Sequence, residues 1–201
     1  MPDRGEITQL LHELNQTESS ERERLLDRLI PLVYGELKAL ARANRYRWGG
    51  PSPAGTTSLV HEVYARLAQG DNDYPGRRQF FCLASKAMRS ILIDNARRHQ
   101  RQKRGGGIAP LPLNEEVLVS AERSSELIAL DEALSVLEAQ EPELSQIVEC
   151  RCFGGLTIEE TATALGVSPA TIKRRWTLAR AWLFRELGPG QGGLAEVPSP
   201  R

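Results

Sequence analysis

Residues 157–184 read TIEETATALGVSPATIKRRWTLARAWLF, and the order of residue types in them sets two helices and the turn between. Thr157-x-x-Glu160 is a capping box, in which each side chain satisfies a backbone N–H of the other at a helix start. It opens the short helix IEETATAL. Gly166 follows, where a left-handed backbone turn costs least. Ser168 then caps a second helix, and Pro169 takes its first turn, where a missing N–H does no harm. In that helix Ile172, Trp176, Ala179 and Leu183 recur at helical spacing and form one stripe for a core.

The stripe leaves Thr171, Lys173, Arg174, Arg175 and Thr177 outside, close behind the Ser168 cap. Cations and hydroxyls on the N-terminal half of a helix suit the major groove. Arg and Lys pair there with guanine edges or phosphates, and Thr reaches either. A solvated basic face on a helical hairpin is the plain alternative. The sequence helix, Gly turn, Ser-Pro-capped helix favours DNA binding over it.

Upstream, the charge pattern has content that the total conceals. Lys plus Arg and Asp plus Glu both number 26, so the formal net charge is zero. From Lys86 to Arg104, however, seven Lys or Arg face the single acid Asp94, and from Lys173 to Arg185 there are five bases and no acid. Between them, Glu115 to Glu143 holds nine acids and the single base Arg123. Two basic helices flank an acidic stretch, and local fields follow such segregation rather than the average.

Helical periodicity extends through the rest of the chain. Residues 6–14 form a short amphipathic helix. Ser20-x-x-Glu23 opens a longer one reaching about Tyr46, with Pro31 placed to kink it. WGGPSPAGTT is a loop by composition, after which Thr57 or Ser58 is positioned to cap a helix carrying Leu59, Val63 and Leu67. The polar loop QGDNDYPGRRQ leads into a helix from about Phe80 to Arg101. Its buried stripe is Phe81, Ala84, Met88 and Ile91, and Lys86, Arg89, Arg97 and Arg98 lie off it. Tyr74, Phe80 and Phe81 stand near those cations, a combination that suits unpaired bases, although aromatics at such a junction also serve a core. The fold class expected is all-α: two small helical domains, 1–104 and 123–187, joined by a flexible acidic linker at 105–122. The C-terminal domain is the helix-turn-helix, and 188–201 is a disordered tail by composition.

Composition excludes several classes. No apolar run approaches the roughly 20 residues that span a bilayer, and the polar start does not read as a signal peptide, so a cytoplasmic protein is expected, with no membrane partner. Cys82, Cys150 and Cys152 cannot make a disulfide framework; they read as buried thiols of a reducing compartment. No Cys/His pair completes a zinc site with Cys150 and Cys152, so no metal is expected. His61-Glu62 lacks the second His at position 65 that a zinc protease needs, and Gly105–Gly107 lacks the flanks of a phosphate loop. No catalytic residue and no cofactor is expected.

The ordered succession LVHEVYARL, RRQFFCLASKAMRSILIDNARRHQRQKR and IVECRCFGGLTIEETATALGVSPATIKRRWTLARAWL closely resembles the extracytoplasmic-function (ECF) sigma factors of the sigma-70 family, over about residues 25 to 187. The resemblance implies a promoter-specificity subunit with core RNA polymerase and promoter DNA as partners, and an anti-sigma factor as a further candidate. It implies polymerase docking through Leu59, His61, Glu62 and Tyr64. It implies minus-ten melting and capture by Lys86, Arg89, Ser90, Asp94, Arg97 and Arg98, following the loop 71–78. Minus-thirty-five reading falls to Ser168, Thr171, Lys173, Arg174, Arg175 and Thr177, and the acidic linker is directed towards the polymerase channels. The chain departs from many relatives at Ser58, where they carry Asp, and at Leu178, where they carry Arg. The rival is a free-standing helix-turn-helix regulator. Such regulators usually dimerise, and no heptad seam is present.

Overall fold

The computed structural model describes residues 4–17, 19–49, 55–69, 74, 76–104 and 118–188. Every regular element among them is helical, as the periodicity predicts. In order these are α1 (Arg4–Gln16), α2 (Ser19–Gly49), α3 (Thr56–Gln69), α4 (Arg77–Arg104), α5 (Ser124–Gln140), α6 (Pro142–Val148), a π-helical turn (Glu149–Phe153), α7 (Ile158–Leu165) and α8 (Pro169–Leu187). Pro31 sits inside α2 without ending it. α2 begins at Ser19, so Ser20 lies inside the helix rather than ahead of it. Its side chain, loop positions 71–73 and 75, linker residues 105–117 and the tail from 189 lie outside the description.

Two helix starts differ from expectation. The Leu59 N–H donates to the Gly55 carbonyl at 2.9 Å, so α3 begins at Thr56 and Thr57 and Ser58 fall inside its first turn rather than capping it. Likewise the Phe80 N–H reaches the Gly76 carbonyl at 3.0 Å, which starts α4 almost a turn early.

Leu29, Val33 and Leu37 of α2, Leu59 and Val63 of α3, and Ala84, Met88 and Leu92 of α4 are buried in one core, with α1 closing it through Leu10 and Leu14. Tyr74, Phe80 and Phe81 belong to that core. Tyr74 packs at 5.7 Å from Phe80, and Phe80 stands edge-on to Phe81 at 5.5 Å. Phe81 is buried as its place in the stripe predicts, and of the two roles open to Tyr74 and Phe80 the structure shows packing. Burying each ring contributes roughly 1.5–3 kcal/mol.

The core does not stop at α4. Buried residues of α5 to α8 join it in one continuous cluster. Phe153, from the π turn, stacks on Trp48 of α2 at 6.3 Å, and the Asn44 amide donates to the Phe153 carbonyl at 2.8 Å. Gly154 is needed here for close approach: a Cβ would lie 2.6 Å from Ser85 Oγ and nearer still to the Cys150 carbonyl. Residues 118–120 form a strap. The Ser120 N–H donates to the Trp48 carbonyl at 2.9 Å and the Val119 N–H to Asn95 Oδ1 at 3.1 Å, while Arg45 donates to the Leu118 carbonyl.

Candidate nucleic-acid interface

The α7–turn–α8 unit is built as its sequence dictates. The Thr157 N–H donates to Glu160 Oε2 at 2.9 Å, and the Glu160 N–H returns a bond to Thr157 Oγ1 at 3.1 Å. Gly166 is left-handed at φ 68°, and Ser168 Oγ accepts from the Thr171 N–H at 3.1 Å. Ile172, Trp176, Ala179 and Leu183 are buried. Behind Trp176, the Arg151 guanidinium lies 4.9 Å from the ring centre, a cation–π contact that ties α8 to the π turn.

The six residues expected on the duplex-reading face of α8 do not all stand open. Lys173 and Arg174 are exposed. Arg175 is half-buried and ion-paired with Glu143 of α6. Ser168 and Thr171 share a 2.9 Å hydroxyl contact within the cap, and Thr177 Oγ1 donates back to the Lys173 carbonyl at 3.0 Å. Leu178, at the position of departure, is exposed.

The α4 face is occupied. Arg89 is buried rather than surface-lying: its Nη2 meets Asp131 Oδ1 at 2.8 Å, and its Nη1 pairs with Glu149 of the π turn. Arg97 holds the other oxygen of Asp131 at 2.9 Å, and Lys86 pairs with Glu138 at 3.0 Å. Arg66 of α3 takes the other two candidates, donating to Ser90 and pairing with Asp94 at 2.5 Å. Arg98 is exposed at the same end of α4. The acidic segment and the basic helix noted in the sequence thus lie against each other. Burial lifts the Glu149 carboxyl above its usual range, against the pull of Arg89 and Lys86.

On α3, Leu59 is fully buried and is a core residue, which corrects its place among the docking residues. His61 and Glu62 are exposed. Partial burial raises the Glu62 carboxyl, opposed by Arg66 and Arg98. The Tyr64 hydroxyl donates to Asp27 Oδ1 at 2.6 Å, a bond that pushes its pKa to about 12.

The cysteines correct a further expectation. Cys82 of α4 and Cys150 of the π turn are joined in a disulfide, with Cα atoms 5.1 Å apart, and Cys152 is a buried free thiol. Nothing in the spacing of 68 residues announces this pair. Arg66, Asp131, Glu138 and Glu149 were equally hidden as partners, although the acidic run holding Asp131 and Glu138 was visible.

In chain order the described residues carry an exposed His-Glu face on α3, the basic helix α4 and the Ser168-capped α8. The family model for ECF sigma factors matches residues 4–188. The chain belongs to the ECF sigma factor family. Among curated proteins and solved structures, none matches it at a significant level. An ECF sigma factor directs promoter-specific transcription initiation, acting with RNA polymerase on promoter DNA. In this family member no helix among the described residues is long and apolar enough to cross a membrane.

Proposed function

We propose that this sigma factor docks on core RNA polymerase through the exposed face of α3 around His61 and Glu62, and reads the minus-thirty-five duplex with the N-terminal half of α8. In this reading α1 to α4 and α5 to α8 act as separate units, and α4 captures the melted minus-ten strand. The observation that carries the proposal is the Ser168-capped α8, which presents Lys173 and Arg174 to solvent behind a left-handed Gly166 turn. Such a helix offers cations to phosphates and to guanine edges. Lys86, Arg89 and Arg97 are held by α5 and the π turn, so these must move away before α4 meets DNA.

The test is run-off transcription on genomic fragments with core polymerase, with and without the chain. New start sites that depend on the chain are expected. Glu62→Lys, an exposed charge reversal with little cost to folding, should lower co-purification with core while helicity stays normal. Unchanged co-purification moves the docking surface elsewhere. DNA binding without any effect on core would mark a free-standing regulator instead.

A further inference from the structure

We propose that the Cys82–Cys150 disulfide is a redox lock that fastens the α5–α6–π-turn segment over the cationic face of α4, holding the oxidised protein closed and releasing that face on reduction. The consequence for transcription rests on the proposed role of α4; the lock itself rests on geometry.

Cys82 lies on the same face of α4 as the cations it would guard. Steps of 4, 7 and 15 residues lead from Cys82 to Lys86, Arg89 and Arg97. At about 100° per residue each returns to within roughly 60° of the Cys82 direction. On the opposing side Cys150 follows Glu149 directly, so disulfide and buried ion pair close the same seam. Noncovalent closure there is partly solvent-exposed: the Lys86 and Glu138 side chains are 55% and 47% exposed. Such pairs are screened by salt and yield to a competing polyanion. The disulfide does not yield until it is reduced. A Cα separation of 5.1 Å is within the range a disulfide bridges without backbone movement.

The bond is approached from the Cys82 side, since Cys82 is 9% exposed and Cys150 fully buried. Cys82 and Cys150 both line a cavity of about 440 Å³, bordered by Gln79, Lys86, Glu138 and Gln146, with room for a small peroxide or thiol. Cys152 is unsuited to the role. It is buried away from this cavity's lining, and burial pushes its thiol up to about 11, which leaves little thiolate to react. Closure with hydrogen peroxide balances. The Cys82 thiolate attacks one peroxide oxygen, the O–O bond breaks, one water leaves and a sulfenic acid remains. The Cys150 sulfur then displaces that hydroxyl as a second water, forming the S–S bond. Two thiols lose two electrons and two protons, and a dithiol reductant reverses the step by exchange.

The experiment uses the full-length chain, treated with hydrogen peroxide, cleared of it by catalase, and compared with dithiothreitol-reduced chain. Oxidation should remove about 2 Da without dimer formation. At about 0.5 M salt, which screens the exposed Lys86–Glu138 pair far more than the buried Arg89–Glu149 pair, small-angle scattering should show the reduced chain expanding and the oxidised chain staying compact. With core polymerase, run-off should fall at least fivefold on oxidation and recover with dithiothreitol. Cys82→Ala and Cys150→Ala, made separately so that one folding failure does not decide the matter, should each be indifferent to peroxide. Cys152→Ala should respond like the parent. An unchanged mass, equal scattering of the two forms at high salt, or equal run-off from a chain shown to be oxidised overturns the lock. A chain that expands on reduction yet directs no run-off keeps the lock and overturns the promoter reading.

Discussion

Arg89 and Asp131 are joined through a single carboxylate oxygen, Nη2 and Nε of the guanidinium both donating to Oδ1 at 2.8 and 3.1 Å and leaving Oδ2 to Arg97, while Nη2 also reaches the Asp131 backbone carbonyl at 3.3 Å. Asp131 thereby bridges two arginines of α4, and Arg89 extends the chain of charges to Glu149. Removing Arg89 leaves two acids in a poorly solvated seam, and breaking a buried pair from one side costs about 3–5 kcal/mol. Arg89→Ala should lower the urea midpoint accordingly. Lys86→Ala, which removes an exposed pair, should cost less than about 1 kcal/mol. Equal costs would show that burial does not distinguish the two.

Glu149 makes stability depend on pH in a definite direction. Its pKa is raised above the ordinary 4.5, chiefly by burial, so the folded chain binds this proton more readily than the unfolded one. Stability from this group is therefore lost as pH rises from 4.5 through the raised folded value. Relative to Glu149→Gln, the parent should gain stability as the pH is lowered from neutral towards 4.5. Urea midpoints of the two proteins across that range check it, and a constant difference would contradict it.

Tyr64 offers a spectroscopic check on the α2–α3 contact. Its bond to Asp27 raises the phenol to about 12. Because the folded pKa is the higher, the stability it confers is present below the unfolded value of about 10 and lost above it. In ultraviolet titration Tyr64 should ionise late, and Asp27→Asn should return one tyrosine to the ordinary range. Superimposable titrations would remove the bond.

On α8 the exposed and the paired arginine should separate. Arg174→Ala should cost on the order of 1–3 kcal/mol of promoter binding by the holoenzyme if it reads a base, with specificity relaxed there. Arg175→Ala should cost less, because Glu143 already holds it. A larger loss at Arg175 in quantitative binding would reverse the assignment.

Gly166 isolates backbone strain. Nothing lies within 4 Å of a Cβ built there, so Gly166→Ala adds no clash and pays only for φ 68°. The expected loss is about 1–2 kcal/mol in thermal unfolding, with Gly166→Asn milder. No loss would mean that the turn adapts.

The helix-turn-helix was legible because its rules are local: a capping box, a glycine, a Ser-Pro start and a four-residue stripe each act within one turn. The all-helical class and the Phe81, Ala84, Met88, Ile91 stripe were legible for the same reason. What sequence alone did not reveal was what lies over that helix. Arg89 fell off the apolar stripe and so read as surface, yet α5 and the π turn, 42 and 60 residues away, bury it. Leu59 took a docking role from the resemblance, although its spacing with Val63 already placed it on the apolar stripe, where it is buried. Tyr74 and Phe80 were ambiguous between stacking and packing, and packing prevailed. The cysteine pair depends wholly on the meeting of α4 with the π turn.

The strap at 118–120 has a consequence for dosage. It clips the start of the second half to Trp48, Asn95 and Arg45, so α5 is presented to α4 by the same molecule at a fixed effective concentration. A cover supplied in cis is not titrated away when more protein is synthesised, unlike an inhibitor supplied as a separate chain. In the proposed reading, raising the copy number multiplies closed molecules in proportion. What shifts each of them is competition from a polyanion or a reductant, not abundance.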